Sequence, residues 1–264
     1  MLKLKKISVA IITSNEEAKI GRTLASVREI ADEIVIVDSF STDGTAQICA
    51  QFGCRFLRRK WEGYRKQKQF ATDQTLFDWV LSLDADEAVS PELKRELLGW
   101  KRTAEAPYHG YRIPRRTFFM GRWIQHTTWY PDWQLRLFCK SRGRWQGRRV
   151  HESFQVQGPT GKLQGALEHY SYASVSEYLE QLERFSTLAA ADYYERGIRA
   201  RFPHLLLYPS LTFLNNYLLR RGFLDGLPGL AVSTLSAVST FFKYLKLREL
   251  QSGLVAVSES LSKL

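Results

Sequence analysis

Cysteine is scarce in this chain. It holds three, Cys49, Cys54 and Cys139, an odd number without paired metal-ligand spacing, which excludes a disulfide scaffold and a zinc knuckle and points to reduced thiols. Clean apolar runs of membrane-spanning length are also missing. Phe202 to Leu219 is broken by two prolines, a histidine and Asn215-Asn216, and Gly226 to Phe242 is rich in serine and threonine. The apolar stretch in MLKLKKISVAIIT meets Asn15, Glu16 and Glu17 too early for a signal-peptide core and cleavage site, so a first strand is expected there and the catalytic part in the cytoplasm. No internal repeat or low-complexity linker interrupts the chain. Acidic residues are in deficit, 27 against 38 lysines and arginines, a formal charge of +11. That imbalance favours anionic partners: nucleic acid, nucleotides, phosphorylated glycans or lipid headgroups.

What is present fits a folded protein with a sizeable core: 264 residues, 44% of them hydrophobic. Three apolar, β-branched runs stand out in the first third, ISVAII (Ile7 to Ile12), EIVIVD (Glu33 to Asp38) and DWVLSLD (Asp78 to Asp84). Helical patterns lie between them, at Glu16 to Ile30 and at Thr42 to Phe52, the latter with a cap expected at Ser41 or Thr42. Strands alternating with helices predict an α/β fold, a mostly parallel sheet with flanking helices. Ligands in such sheets gather at the carboxyl ends of the strands, where Thr13-Ser14-Asn15, Asp38-Ser39 and Asp84-Ala85-Asp86 fall. From about Tyr108 to Leu167 shorter strands and turns are expected. After Ser174 a long helical pattern runs to Gly197, so a catalytic region, 1–170, is followed by a C-terminal helical appendage, 171–264.

The stretch WVLSLDADEAVS drives a buried strand into Asp84, Asp86 and Glu87. On an extended backbone the two aspartates would project to one side about 6 to 7 Å apart. In a dry cleft they would repel unless a cation joined them, and Mg²⁺ or Mn²⁺ bound together with a diphosphate is the usual partner. Asp-x-Asp alone is a weak signal, equally compatible with a solvated loop before a helix at Ser90-Pro91-Glu92. The aromatics and arginines interleaved between Arg112 and Arg149 suit a sugar or phosphate site, and equally a single-strand nucleic-acid platform or plain packing.

In order and at their separations, ITSNEE, VDSFSTDGT, RKQKQFA and LSLDADE resemble the N-terminal half of a family 2 glycosyltransferase with the GT-A, Rossmann-like fold. PDWQLRLF, GRWQGRRVHE, LEHYSY and GFLDGLPGL are similar to the bacterial branch that includes lipopolysaccharide core β-1,4-glucosyltransferases. The resemblance implies that Thr13, Asn15, Glu16 and Ser41 line a nucleotide pocket. It implies that Asp38 contacts the base, Lys68 approaches the nucleotide or diphosphate, and Asp84 faces the ribose. Asp86 would bind Mg²⁺ or Mn²⁺, with His151, or else His169, completing the shell. Asp132 matches the catalytic base, although Pro131 stands where the family commonly has glutamate; Glu152 is the rival carboxylate, and Arg136 is placed to clamp a phosphate.

The implied activity is inverting transfer from a nucleotide sugar, UDP-glucose, to a phosphorylated glycan or glycolipid such as the lipopolysaccharide inner core. Polyprenyl phosphate or another surface polysaccharide is the alternative acceptor. Nucleic-acid binding, suggested by the charge, is the rival from another class, and no nucleic-acid partner is expected under the resemblance. A nucleotidyltransferase would more naturally carry a glycine-rich phosphate loop, which ITSNEE lacks. Arginines and lysines flanking the two C-terminal stretches fit a peripheral position on the anionic inner face of a bacterial inner membrane, or a helical subdomain that packs on the core or on a second copy.

Overall fold

The computed structural model describes residues 4–103, 106–147, 152–172 and 174–254. In chain order the strands and α-helices are β1 (Ile7–Thr13), α1 (Glu17–Val27), β2 (Glu33–Asp38), α2 (Thr45–Gln51), β3 (Arg55–Arg58), α3 (Tyr64–Asp73), β4 (Trp79–Asp84), β5 (Glu87–Val89), α4 (Pro91–Arg102), β6 (Gly110–Phe119), β7 (Arg122–Trp123), β8 (Asp132–Cys139), β9 (Gly143–Gln146), β10 (Ser153–Val156), β11 (Thr160–Lys162), β12 (Leu167–His169), α5 (Val175–Glu195), α6 (Phe202–Leu214) and α7 (Gly226–Gln251). They form two compact units. The first comprises the described residues up to Arg116, Asp132–Gly147 and the segment ending at Ser171; the second comprises Thr117–Pro131 and the chain from Tyr172. The excursion Thr117–Pro131 is not signalled by the boundary near residue 170 that composition suggests.

In the first unit β3, β2, β1 and β4 are parallel neighbours, and the sheet continues through β8, β6, β12 and β5. β8 runs antiparallel to both β4 and β6. All seven residues of β1 are buried, because helices and a small hairpin cover the two faces and alternate side chains go to opposite sides. Ile7, Val9 and Ile11 join Ile20, Leu24 and Val27 of α1 and Leu93 and Leu97 of α4. Ala10 and Ile12 face Ala71 of α3, with Phe138, Trp145 and Phe154. Each large apolar side chain removed from water in this way contributes roughly 1.5–3 kcal/mol. The spacing of buried Ile20, Thr23, Leu24 and Val27 on α1 is the helical stripe that the sequence pattern predicts.

Helix ends differ from the sequence expectation for local reasons. α2 starts at Thr45 rather than Thr42, because Asp43 accepts hydrogen bonds from the Thr45 amide and hydroxyl at 3.0 and 2.6 Å and so holds Thr42 to Gly44 as a turn. α4 follows its sequence signals: Ser90 accepts from the Leu93 amide, Pro91 sits in the first turn, and Lys101 and Arg102 lie in the last.

The second unit is helical. Ser174 caps α5 by accepting from the Glu177 amide, and the left-handed Gly197, at φ +71°, follows its end. Phe119, Ile124, Tyr178, Leu182 and Val232 form one core cluster, with Trp129 and Tyr172 packed against it. Trp145, in the first unit, is buried and donates its indole N–H to Thr72. Phe119, Trp129 and Trp145 of the aromatic-arginine segment are thus packing elements. Among the described residues no helix is long and apolar enough to cross a membrane.

Candidate active site

The strand register builds the site. Thr13 is paired with Asp38 between β1 and β2, and Ile12 with Asp84 between β1 and β4, so three polar strand ends share one edge. The loops after β1 and β2 then lock together. Asn15, left-handed at φ +54°, donates its amide to Ser41 at 2.8 Å and accepts from the Thr42 amide at 2.9 Å. Glu16 donates its amide to the Thr45 hydroxyl at 2.9 Å. Asp38 is fully buried and accepts from the amide of Ser41 at 2.9 Å as well as from its hydroxyl. Much of the hydrogen-bonding capacity that the sequence suggested for a base and ribose therefore shapes the loop itself. Two buried oxygens in this region, Thr13 Oγ1 and Gln67 Oε1, have no partner among the described residues. Such groups mark where a ligand can donate.

The DADE stretch is not extended. Asp84 ends β4, Ala85 and Asp86 form a turn, and Glu87 opens β5. The turn corrects the expected side-by-side projection and gives the two aspartates different surroundings. Asp84 accepts from Lys68 Nζ at 2.9 Å and from Arg136 Nη2 at 2.7 Å, with Arg115 Nη1 at 3.9 Å. Burial works to raise its pKa, but the charges of Arg136, Lys68 and Arg115 outweigh it and hold the carboxyl well below its ordinary range. Asp86 stands 3.2 Å from His169 Nε2. There too burial opposes the charge, and His169 more than compensates, leaving the Asp86 pKa lowered. Pairing of β12 with β5, His169 opposite Glu87, brings this histidine to the turn. His151 lies outside the described residues.

Glu87, absent from the sequence-derived site, is its hub. It is fully buried, accepts from Arg136 Nη2 at 2.7 Å and Arg115 Nη1 at 3.2 Å through one oxygen, and from the Asp84 amide at 3.0 Å through the other. Arg115 is the second residue that sequence reading passed over as a site residue. It lies opposite Asp132 in the β6–β8 register and donates Nε and Nη2 to one Asp132 oxygen at 3.0 and 2.7 Å. Gln134 donates to the other Asp132 oxygen at 2.7 Å. A signal existed for both: an arginine within a strand and a glutamate directly after an aspartate pair need buried partners.

Other expected roles change with burial. Arg136 is only 4% exposed, and its Nη2 is shared by Asp84 and Glu87, so a carboxylate bridge replaces the phosphate clamp expected of it. Lys68 is buried, held 2.9 Å from both Asp84 and Glu152; burial would lower its pKa, but these carboxylates leave it raised. Glu152 is thus a counter-charge for Lys68 and is less available as a base than Asp132, the side-chain exposures being 11% and 31%.

Residues 8–162 match the family model described as glycosyl transferase family 2. The lipopolysaccharide core biosynthesis glycosyltransferase LpsC of Rhizobium meliloti is 35% identical over 248 residues, 91% of each chain. The chain belongs to glycosyl transferase family 2. An uncharacterized glycosyltransferase of Rickettsia typhi is 32% identical over 261 residues, covering 94% of this chain and 88% of the relative. A crystal structure of S. aureus TarS in complex with UDP has 15% identity and a TM-score of 0.48, covering 94% of this chain and 92% of that one.

For a family 2 glycosyltransferase, the donor set beside the turn fits a divalent ion. Asp86 offers a carboxylate and His169 an imidazole on one spot, with side-chain exposures of 17% and 13%. That pair suits Mn²⁺, or Mg²⁺ with more water in its shell. No larger cluster of His, Cys, Asp and Glu suited to a metal occurs among the described residues, so most of the shell would fall to water and phosphate oxygens.

Proposed function

We infer that this glycosyltransferase transfers glucose, with inversion, from UDP-glucose to a hydroxyl of a phosphorylated surface glycan, the lipopolysaccharide inner core. The observation that carries the reading is the Asp84–Ala85–Asp86 turn at the strand ends, with Asp86 beside His169 and the Arg115-bound Asp132 on the neighbouring strand. The likeness to LpsC supports the acceptor class. The protein works from a peripheral position on the inner face of the membrane that carries the acceptor.

Thr13 and Asp38, with the interlocked Asn15–Glu16 and Ser41 loops, form the wall of the nucleoside pocket, and the unpartnered Thr13 hydroxyl takes a bond from the donor. Asp84, fixed by Lys68 and Arg136, presents to the ribose. Asp86 and His169 would hold Mg²⁺ or Mn²⁺, which supplies charge neutralisation for the leaving diphosphate. Asp132 takes the proton of the acceptor hydroxyl as that oxygen bonds to the anomeric carbon and the electron pair of the old bond leaves with UDP. Arg115 and Gln134, each bonded to the Asp132 carboxylate, hold it oriented for that transfer.

A melting-temperature screen against nucleotide sugars, with and without Mn²⁺, tests donor and cation together. UDP-glucose should give the largest rise, only with the cation, and Asp86→Ala should abolish that dependence and cut UDP release roughly 100-fold or more. Unaltered UDP release in Asp86→Ala would overturn the reading.

A further inference from the structure

We propose that the helical unit docks on an anionic lipid surface through α6 and the turn that follows it. None of the thirteen residues of α6, FPHLLLYPSLTFL, is buried. One side of the helix does have a partner within its unit: Leu205 packs with the cluster around Tyr244 and Leu247, and Tyr208 lies with its ring centroid 5.3 Å from that of Tyr244. The other side is leucine facing solvent. Leu206, Leu207 and Leu211 are 56%, 57% and 58% exposed, and the row continues beyond α6 into Leu218 and Leu219, 52% and 79% exposed, and then Phe223, 47% exposed. Apolar side chains exposed in such continuity mark a contact surface rather than ordinary scatter.

Charge selects the occupant. Between Glu195 and Asp225 there is no acidic residue, while Arg199, Arg201, Arg220 and Arg221 occur there and are exposed; Arg196 is instead paired with Asp192 at 3.5 Å. A second copy docking through this face by a two-fold axis would set the arginine rim against itself, with no acid in the segment to neutralise it. Anionic headgroups neutralise it, and arginine stems lie along the acyl boundary while their guanidinium groups stay at headgroup level. Because no described helix can span a bilayer, the segment lies in the interface plane with its leucines in the acyl layer. The inference deepens the peripheral position stated above, yet the docking itself requires neither donor nor transfer.

Co-sedimentation of the full chain with phosphatidylglycerol–phosphatidylethanolamine vesicles, against phosphatidylcholine vesicles, tests it. The expected result is salt-sensitive retention on the anionic vesicles only, reduced about thirtyfold by the pair Arg220→Ala and Arg221→Ala and at least tenfold by Leu207→Gln with Leu211→Gln. UDP release in water without acceptor should be unchanged in both variants, which also reports that they fold. Equal retention on neutral vesicles would overturn the proposal. So would absence of retention together with a solution dimer that the leucine pair dissociates. Vesicle binding by a protein with no nucleotide-sugar turnover would sink the transferase reading and leave this one standing.

Discussion

Glu87→Gln tests whether the buried charge network holds the site together. The carboxylate is fully buried and receives three hydrogen bonds, from Arg136 and Arg115 on one oxygen and from the Asp84 amide on the other. Glutamine is isosteric but replaces one oxygen by an NH₂ group, so in either orientation a donor faces another donor: the two guanidinium groups or the amide of Asp84. The substitution also removes a negative charge between two arginines, both of whose pKa values are raised by Asp84 and Glu87 against the opposing effect of burial. Breaking one partner out of a buried ion network costs about 3–5 kcal/mol, which for a chain of this size corresponds to a fall in Tm of roughly 6–20 °C. Urea and thermal unfolding followed by circular dichroism measure it directly. A loss below about 1 kcal/mol would refute the assignment of Glu87 as the hub, since that is the range of an exposed pair.

Asp132→Asn should leave the melting temperature within a few degrees of wild type and lower kcat roughly 10²- to 10⁴-fold, with the donor KM nearly unchanged, because it removes a proton acceptor in the transition state rather than a donor contact. Steady-state kinetics with saturating acceptor would separate the two parameters. Acid titration of stability reports on Asp84 and Asp86. Their folded-state pKa values are lowered, so their contribution is fully present above the unfolded carboxylate value of about 3.9 and is lost as pH falls through the lower folded values. Arg136→Met should raise the pKa of Asp84 and move the acid unfolding midpoint to higher pH; an unmoved midpoint would contradict the pairing.

The positions of β1, β2 and β4, and the polar residues at their carboxyl ends, are readable along the chain. A parallel strand covered on both faces is apolar throughout, and the register of such neighbours puts Thr13, Asp38 and Asp84 on one edge. The capping of α4 by Ser90 is equally local. The start of α2 misleads because Ser41, Thr42 and Asp43 all have capping chemistry, and only the competing bonds of Ser41 to Asp38 and of Asp43 to Thr45 decide between them.

By itself, the sequence determined an α/β sheet with ligand-facing strand tips and the family's ordered motifs, because those features repeat with the period of the backbone and are contained in short stretches. Tertiary structure alone decided which charges meet. Arg115 reaches Asp132 through a cross-strand pairing, His169 reaches Asp86 through the pairing of β12 with β5, and Lys68 spans 84 positions to Glu152. The physical reason is that long-range strand register and burial set these pairs, and neither leaves a periodic trace in the residues between them.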